Sequence, residues 1–142
     1  MPVRSANAVW NGDLMTGNGT LKTETGAASG QYSFSTRFEN GIGTNPEELI
    51  AAAHAACYSM ALSAGLAKNG YKPISVNTSD KLHLEKLEAG FTITKIEVTV
   101  EAKVEGIDDA TFQKFAEDTK KGCPVSRALT GNVEFILNAK LV

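Results

Sequence analysis

Cys57 and Cys123 are the only thiols in this 142-residue chain, and they are the side chains best suited to attack an electrophile. The attacking species is the thiolate, so each cysteine must be judged by what would ionise it. Cys123 lies in Gly122-Cys123-Pro124-Val125-Ser126. Gly122 suits the end of one helix and Pro124 the first position of the next, which makes Cys123 an N-cap. There the positive end of the helix dipole and the unpaired N–H groups favour the anion, and Arg127 adds charge four residues on. The plainer alternative is a small residue buried at a helix junction. Cys57 sits inside an alanine-rich helical run, where no dipole reaches it and burial opposes ionisation. If it reacts, a cation must come from elsewhere.

The arginines are Arg4, Arg37 and Arg127. Arg37 follows an aromatic-rich stretch and precedes the Cys57 helix, and a half-buried guanidinium needs a carboxylate partner. Glu48 is assigned to capping the helix, which leaves Glu47. Glu47 and Cys57 are ten residues apart (57 − 47), about 280° of rotation and about 15 Å of rise, too far for contact along one helix. An antiparallel copy, with a twofold axis near Ala52, would bring Glu47 of one chain level with Cys57 of the other. The run Ala51-Ala52-Ala53 and Ala55-Ala56 would let the backbones approach. This predicts an isologous homodimer with a shared site, although alanine also serves plain helix propensity. His54 shares a face with Cys57 and is a candidate base, a candidate ligand or a core histidine. With His83 and the cysteines it lacks the close spacing of a zinc site, so neither metal nor cofactor is expected.

The elements that must position these residues read as follows. Ala8-Val9-Trp10, Thr20–Thr23 and an alternating Tyr32, Phe34, Thr36, Phe38 read as strands, with Arg37 facing away from the aromatics. Asn45, Pro46 and Glu48 form the N-cap, first position and third position of a helix running to about Lys68, where Asn69-Gly70 stops it. Ile74 to Leu87 and Phe91 to Val104 form a hairpin across Glu88-Ala89-Gly90, with a bulge near Thr94-Lys95. Asp108 or Asp109 caps a helix carrying Phe112 and Phe115, a short helix starts at Pro124, and Val133–Leu137 is a last strand. This order gives an α+β fold, not a doubly wound one.

Composition limits the function classes. A net charge of −2 and a pI near 5.7 argue against nucleic acid as a partner. The N-terminal residues lack a signal-like apolar stretch, and no apolar segment is read as long enough to span a membrane. Two cysteines so far apart do not form a secreted disulfide scaffold, so a single cytoplasmic domain, residues 1–142, is expected.

Thr36-Arg37-Phe38-Glu39, Gly43-Thr44-Asn45-Pro46-Glu47-Glu48-Leu49-Ile50, Ala53-His54-Ala55-Ala56-Cys57 and Gly122-Cys123-Pro124-Val125-Ser126 resemble the OsmC/Ohr family. These are the osmotically inducible and organic hydroperoxide resistance proteins of bacteria, and the match is to the OsmC branch. It extends from Trp10-Asn11-Gly12-Asp13 to the final strand. The resemblance implies antiparallel sheets wrapped around long central helices in an intertwined homodimer. It implies a thiol-dependent peroxidase, an antioxidant stress-response enzyme acting on organic hydroperoxides. Cys57 would be peroxidatic and Cys123 resolving, joined in a redox-active disulfide, with Arg37 and Glu47 as the catalytic arginine and glutamate. An external dithiol, in the family sometimes lipoyl-linked, would restore the thiols. Two other classes stay open at this point: a binding module for an apolar ligand, and a structural stress protein.

Overall fold

Asn11-Gly12-Asp13 reverses the chain because Gly12 takes a left-handed φ of 90° and Asp13 ties down the loop, accepting the Thr16 N–H at 2.7 Å. The flanking residues therefore pair as strands β1 (Ala6–Asn11) and β2 (Asn18–Thr23), antiparallel, with Asn11 opposite Asn18. Strand β3 (Ser29–Tyr32) joins the other edge of β2. Gly19 lies beneath Tyr32, whose ring a Cβ there would meet at 2.6 Å, and the Tyr32 ring leans on Trp10 with centroids 5.3 Å apart. The computed structural model describes every residue, Met1–Val142, and divides into two compact units, Met1–Leu49 and Ile50–Val142. This three-stranded sheet belongs to the first.

The strand expected through Phe38 ends instead at Tyr32. Helix α1 (Phe34–Phe38) follows it. Ser33 and Thr36 form a reciprocal capping box: the Thr36 N–H donates to Ser33 Oγ at 3.3 Å and the Ser33 N–H donates to Thr36 Oγ1 at 2.8 Å. Phe34 and Phe38, which share a strand face by alternation, are also four apart, and on the helix their rings meet at 4.9 Å. Alternation over so few residues does not separate the two periods; the local cap decides. Arg37 consequently lies beside the aromatics, with Cζ 5.3 Å from the Phe38 ring centre, not on an opposite face.

Helix α2 (Pro46–Lys68) starts where the cap predicts: the Glu48 N–H donates to Asn45 Oδ1 at 2.8 Å. Only half of the box forms, because the Glu48 carboxylate takes the Thr44 hydroxyl at 2.5 Å. Asn69 and Gly70, at φ 86°, end the helix. One expectation fails here. The charges of α2 cluster at its ends, so its alanine-rich middle, with mean hydropathy 1.5, is long and apolar enough to cross a membrane by length and composition. A soluble core helix passes the same test. Only 22% of that apolar stretch is buried within the chain.

In the second unit, β4 (Lys72–Leu87) and β5 (Gly90–Glu105) form the expected hairpin, and β6 (Glu134–Leu141) lies parallel to β5, longer than the sequence suggested. The bulge is present: His83 faces Lys95 but Leu84 faces Ile93, leaving Thr94 extra. It turns Ile96, Val98, Val100 and Ala102 inward, where they are closed to solvent. Helix α3 (Asp109–Gly122), capped by Asp108, adds Phe112 and Ala116, and α2 adds Tyr58, Leu62 and Leu66 at a four-residue spacing. Helix α4 (Pro124–Leu129) follows without a loop, Cys123 ending α3 and capping α4.

Candidate active site

The first unit holds the guanidinium. Helix α1 presents Arg37 toward the first turn of α2, and Nε and Nη2 both donate to Glu47 Oε1, at 2.9 and 2.7 Å. Glu47 is thus the expected partner, but the two bonds converge on one oxygen. Oε2 is buried with no partner, and part of the arginine's donor fork stays unengaged by Glu47. Arg37 keeps 38% side-chain exposure and helps to line a cleft of about 260 Å³ with Trp10, Leu14, Tyr32, Phe34 and Phe38. In the second unit, Met60 lines a groove with Ser63, Ala64, Pro73 and Ile74.

The second unit holds both sulfurs. Cys123 is buried, Cys57 is partly exposed, and both are free thiols. The Cys57 thiol feels both the Cys123 side chain and the Val125 amide, which puts the two sulfurs in one neighbourhood. The Ser126 N–H donates to Cys123 Sγ at 3.3 Å. Pro124 has no N–H, so Val125 and Ser126 carry the first amides of α4, and that of Ser126 goes to Cys123. Burial pushes the Cys57 thiol above its ordinary range; the Val125 amide opposes this, and the neighbouring Cys123 adds to the rise. No cation is among these influences. The apolar middle of α2 imposes the problem that the sequence implied.

His54 turns out to be a hydrogen-bonded core residue. Its ring is closed to solvent, 4.9 Å from Phe135, with Nδ1 2.5 Å from Asp80 Oδ2 and Nε2 2.8 Å from Ser126 Oγ. Ser126 Oγ also lies 3.1 Å from Cys123 Sγ. Tyr58 stays a neutral donor to the Ala116 carbonyl at 2.8 Å, its hydroxyl pushed well up by burial first and then by nearby Glu117, Cys123 and Asp80. Sequence reasoning missed Asp80 and Ser126 as partners. Both left a trace: Asp80 is an acid on the same strand face as Val76 and Leu82, and Ser126 is the third residue after the Cys123 cap, where its N–H meets the capping atom. His83, the other histidine, pairs across the hairpin with Glu97 at 2.6 Å.

A family model for OsmC-like proteins matches residues 39–138, which include Glu47, Cys57 and Cys123 and stop short of Arg37. The peroxiredoxin OsmC of Escherichia coli strain K12 is 49% identical over 131 residues, 92% of each chain. An organic hydroperoxide resistance protein of Xanthomonas axonopodis pv. citri is 35% identical over 98 residues, 68% of this chain and 67% of its own. The crystal structure of an organic hydroperoxide resistance protein OsmC from Legionella pneumophila has a TM-score of 0.75 over 99% of both chains at 24% identity, a likeness of fold. With most of its residues matched by the family model and nearly all of them aligned to the Escherichia coli relative, this chain belongs to the OsmC/Ohr family.

Proposed function

We propose that the protein is a cysteine-based peroxidase that reduces organic hydroperoxides to alcohols. The observation that carries this reading is two free thiols in one neighbourhood at the start of α4, where Cys123 takes the Ser126 amide and Cys57 feels Val125 and Cys123. The names of the relatives, a peroxiredoxin and an organic hydroperoxide resistance protein, support the same reaction class. The Cys57 thiolate attacks the terminal oxygen of R–O–O–H. The S–O bond forms, the O–O bond breaks, and the alkoxide takes a proton and leaves as the alcohol. Cys123 then displaces water from the Cys57 sulfenic acid to give a Cys57–Cys123 disulfide, and an external dithiol, lipoyl-linked in one version, restores both thiols.

Because burial raises the Cys57 thiol, ionisation at neutral pH requires a cation. Arg37, held by Glu47, has that role in our reading, and its exposed cleft of aromatic side chains suits a hydrocarbon tail. The uncovered apolar surface of α2 suits an isologous homodimer in which both copies contribute to each site. A single domain over residues 1–142 remains our reading, supported by a family match that begins in the first unit and runs through the second. Free thiols suit the reducing cytoplasm.

Cumene hydroperoxide consumption with dithiothreitol tests the reading. The parent protein turns over, Cys57→Ser is inactive, and Cys123→Ser loses dithiothreitol-resolved turnover while accumulating a trappable sulfenic acid on Cys57. Equal rates in all three proteins would leave a binding module as the better account.

A further inference from the structure

Asp80, His54, Ser126 and Cys123 form a hydrogen-bonded line that the reaction as described does not use. His54 and Ser126 are 0% exposed, Cys123 1%, and the Asp80 side chain 1%. Directions follow from donor chemistry. An ionised carboxylate only accepts, so Asp80 Oδ2 takes the His54 Nδ1–H. In the neutral ring Nε2 then accepts, from the Ser126 hydroxyl. Ser126 Oγ is left to accept the Cys123 S–H. All three bonds lead away from the sulfur. The arrangement has the connectivity of a hydrolase triad, but no substrate reaches a serine that is closed to solvent. The reacting atom it meets is sulfur.

We propose that this line is a proton relay that ionises Cys123 for the resolving step, with Ser126 touching the reacting sulfur and His54 and Asp80 as positioning residues. The inference rests on Cys123 being the resolving thiol. Cys123 is closed to water, so bulk solvent does not take its proton directly. A shift of two protons along the line gives a Cys123 thiolate, a Ser126 hydroxyl donating to it, and a His54 imidazolium paired with Asp80. The Ser126 N–H already points at the sulfur. The thiolate lone pair forms the S–S bond to Cys57. The S–O bond of the sulfenic acid breaks with its electron pair leaving on hydroxide, which takes a solvent proton and departs as water. Cys123 is oxidised and the Cys57 sulfenic acid is reduced to the disulfide. When the dithiol opens the bridge, Cys123 leaves as thiolate and regains its proton from His54 through Ser126. The dithiol becomes a disulfide, giving one proton to Cys57 and one to solvent, which closes the balance.

The test is single-turnover kinetics on the whole protein, following sulfenic acid on Cys57 and the Cys57–Cys123 disulfide separately after cumene hydroperoxide is added. In the parent, the disulfide step slows in D2O with a curved dependence on deuterium fraction, because two protons move. Ser126→Val and Ser126→Thr have the same shape and differ in the hydroxyl. The ratio of the disulfide rate to the sulfenic acid rate falls roughly a hundredfold in Ser126→Val and Asp80→Asn, and recovers in Ser126→Thr relative to Ser126→Val. An unchanged ratio, or no solvent isotope effect on the parent's disulfide step, overturns the relay while leaving the peroxidase reading intact. The isotope measurement needs no variant and decides the matter if the variants fail to fold. A parent that forms no such disulfide overturns the peroxidase reading and the relay together.

Discussion

At the residue scale, the proposed chemistry turns on one thiol, Cys57, whose surroundings oppose its ionisation. Burial dominates at Cys57 and the Val125 amide only partly offsets it. If Arg37 supplies the missing charge, the sign is fixed: a cation favours the anion and lowers the pKa, so its removal raises the pH at which the thiol becomes reactive. Arg37→Ala should therefore shift the pH midpoint of Cys57 alkylation by iodoacetamide upward, with an unchanged midpoint counting against the assignment. Glu47→Gln should move it the same way by less, since the charge stays while its anchor weakens. The partnership of Arg37 with Glu47 was legible once Glu48 was set aside, although what occupies the Glu48 carboxylate is the Thr44 hydroxyl and not the cap. Asp80 was not legible as a partner of His54. Their meeting requires α2 to lie against β4, a long-range register that no local spacing encodes.

At the element scale, caps explain most of what sequence foresaw and also what it misjudged. Asn45, Asp108 and Cys123 mark the starts of α2, α3 and α4 where the residue types predict. Asn45→Ala should lower stability by about 1 kcal/mol in chemical denaturation. Asp108 gives a pH dependence of defined sign. The Thr111 N–H holds its carboxylate below the ordinary range, so its contribution is complete above the ordinary carboxylate pKa and is lost as the pH falls through the lowered value. Asp108→Asn should flatten that part of the acid dependence of the thermal midpoint; the same slope in both proteins would exclude Asp108 as its source. The Phe34–Phe38 segment was misread because a five-residue window fits both periods, and the Ser33–Thr36 box outweighs the aromatic preference for strands. The parallel alignment of β6 with β5 lay beyond reach, since alternation sets a strand's faces but not its direction.

At the scale of the whole molecule, α2 has two unlike faces. His54, Tyr58, Leu62 and Leu66 are fully buried, and Leu62→Ala should cost about 2–5 kcal/mol in denaturant unfolding. The remaining apolar surface is largely uncovered, with Met60 75% exposed. The membrane test was misjudged from sequence because the terminal charges of α2 hid the length of its uncharged middle. Sedimentation equilibrium should return twice the 15.0 kDa chain mass, and Ala56→Lys should shift it toward the single chain; a monomeric parent at micromolar concentration would remove the shared site. The proposed reaction asks less than any assembly: that peroxide drive Cys57 and Cys123 into one bond. Peptide mapping by mass spectrometry, after one equivalent of cumene hydroperoxide and before any reductant, tests it directly. The account predicts a Cys57–Cys123 cross-linked peptide that dithiothreitol cleaves; two cysteines still free after the peroxide is added, or over-oxidised without ever bridging, would contradict it.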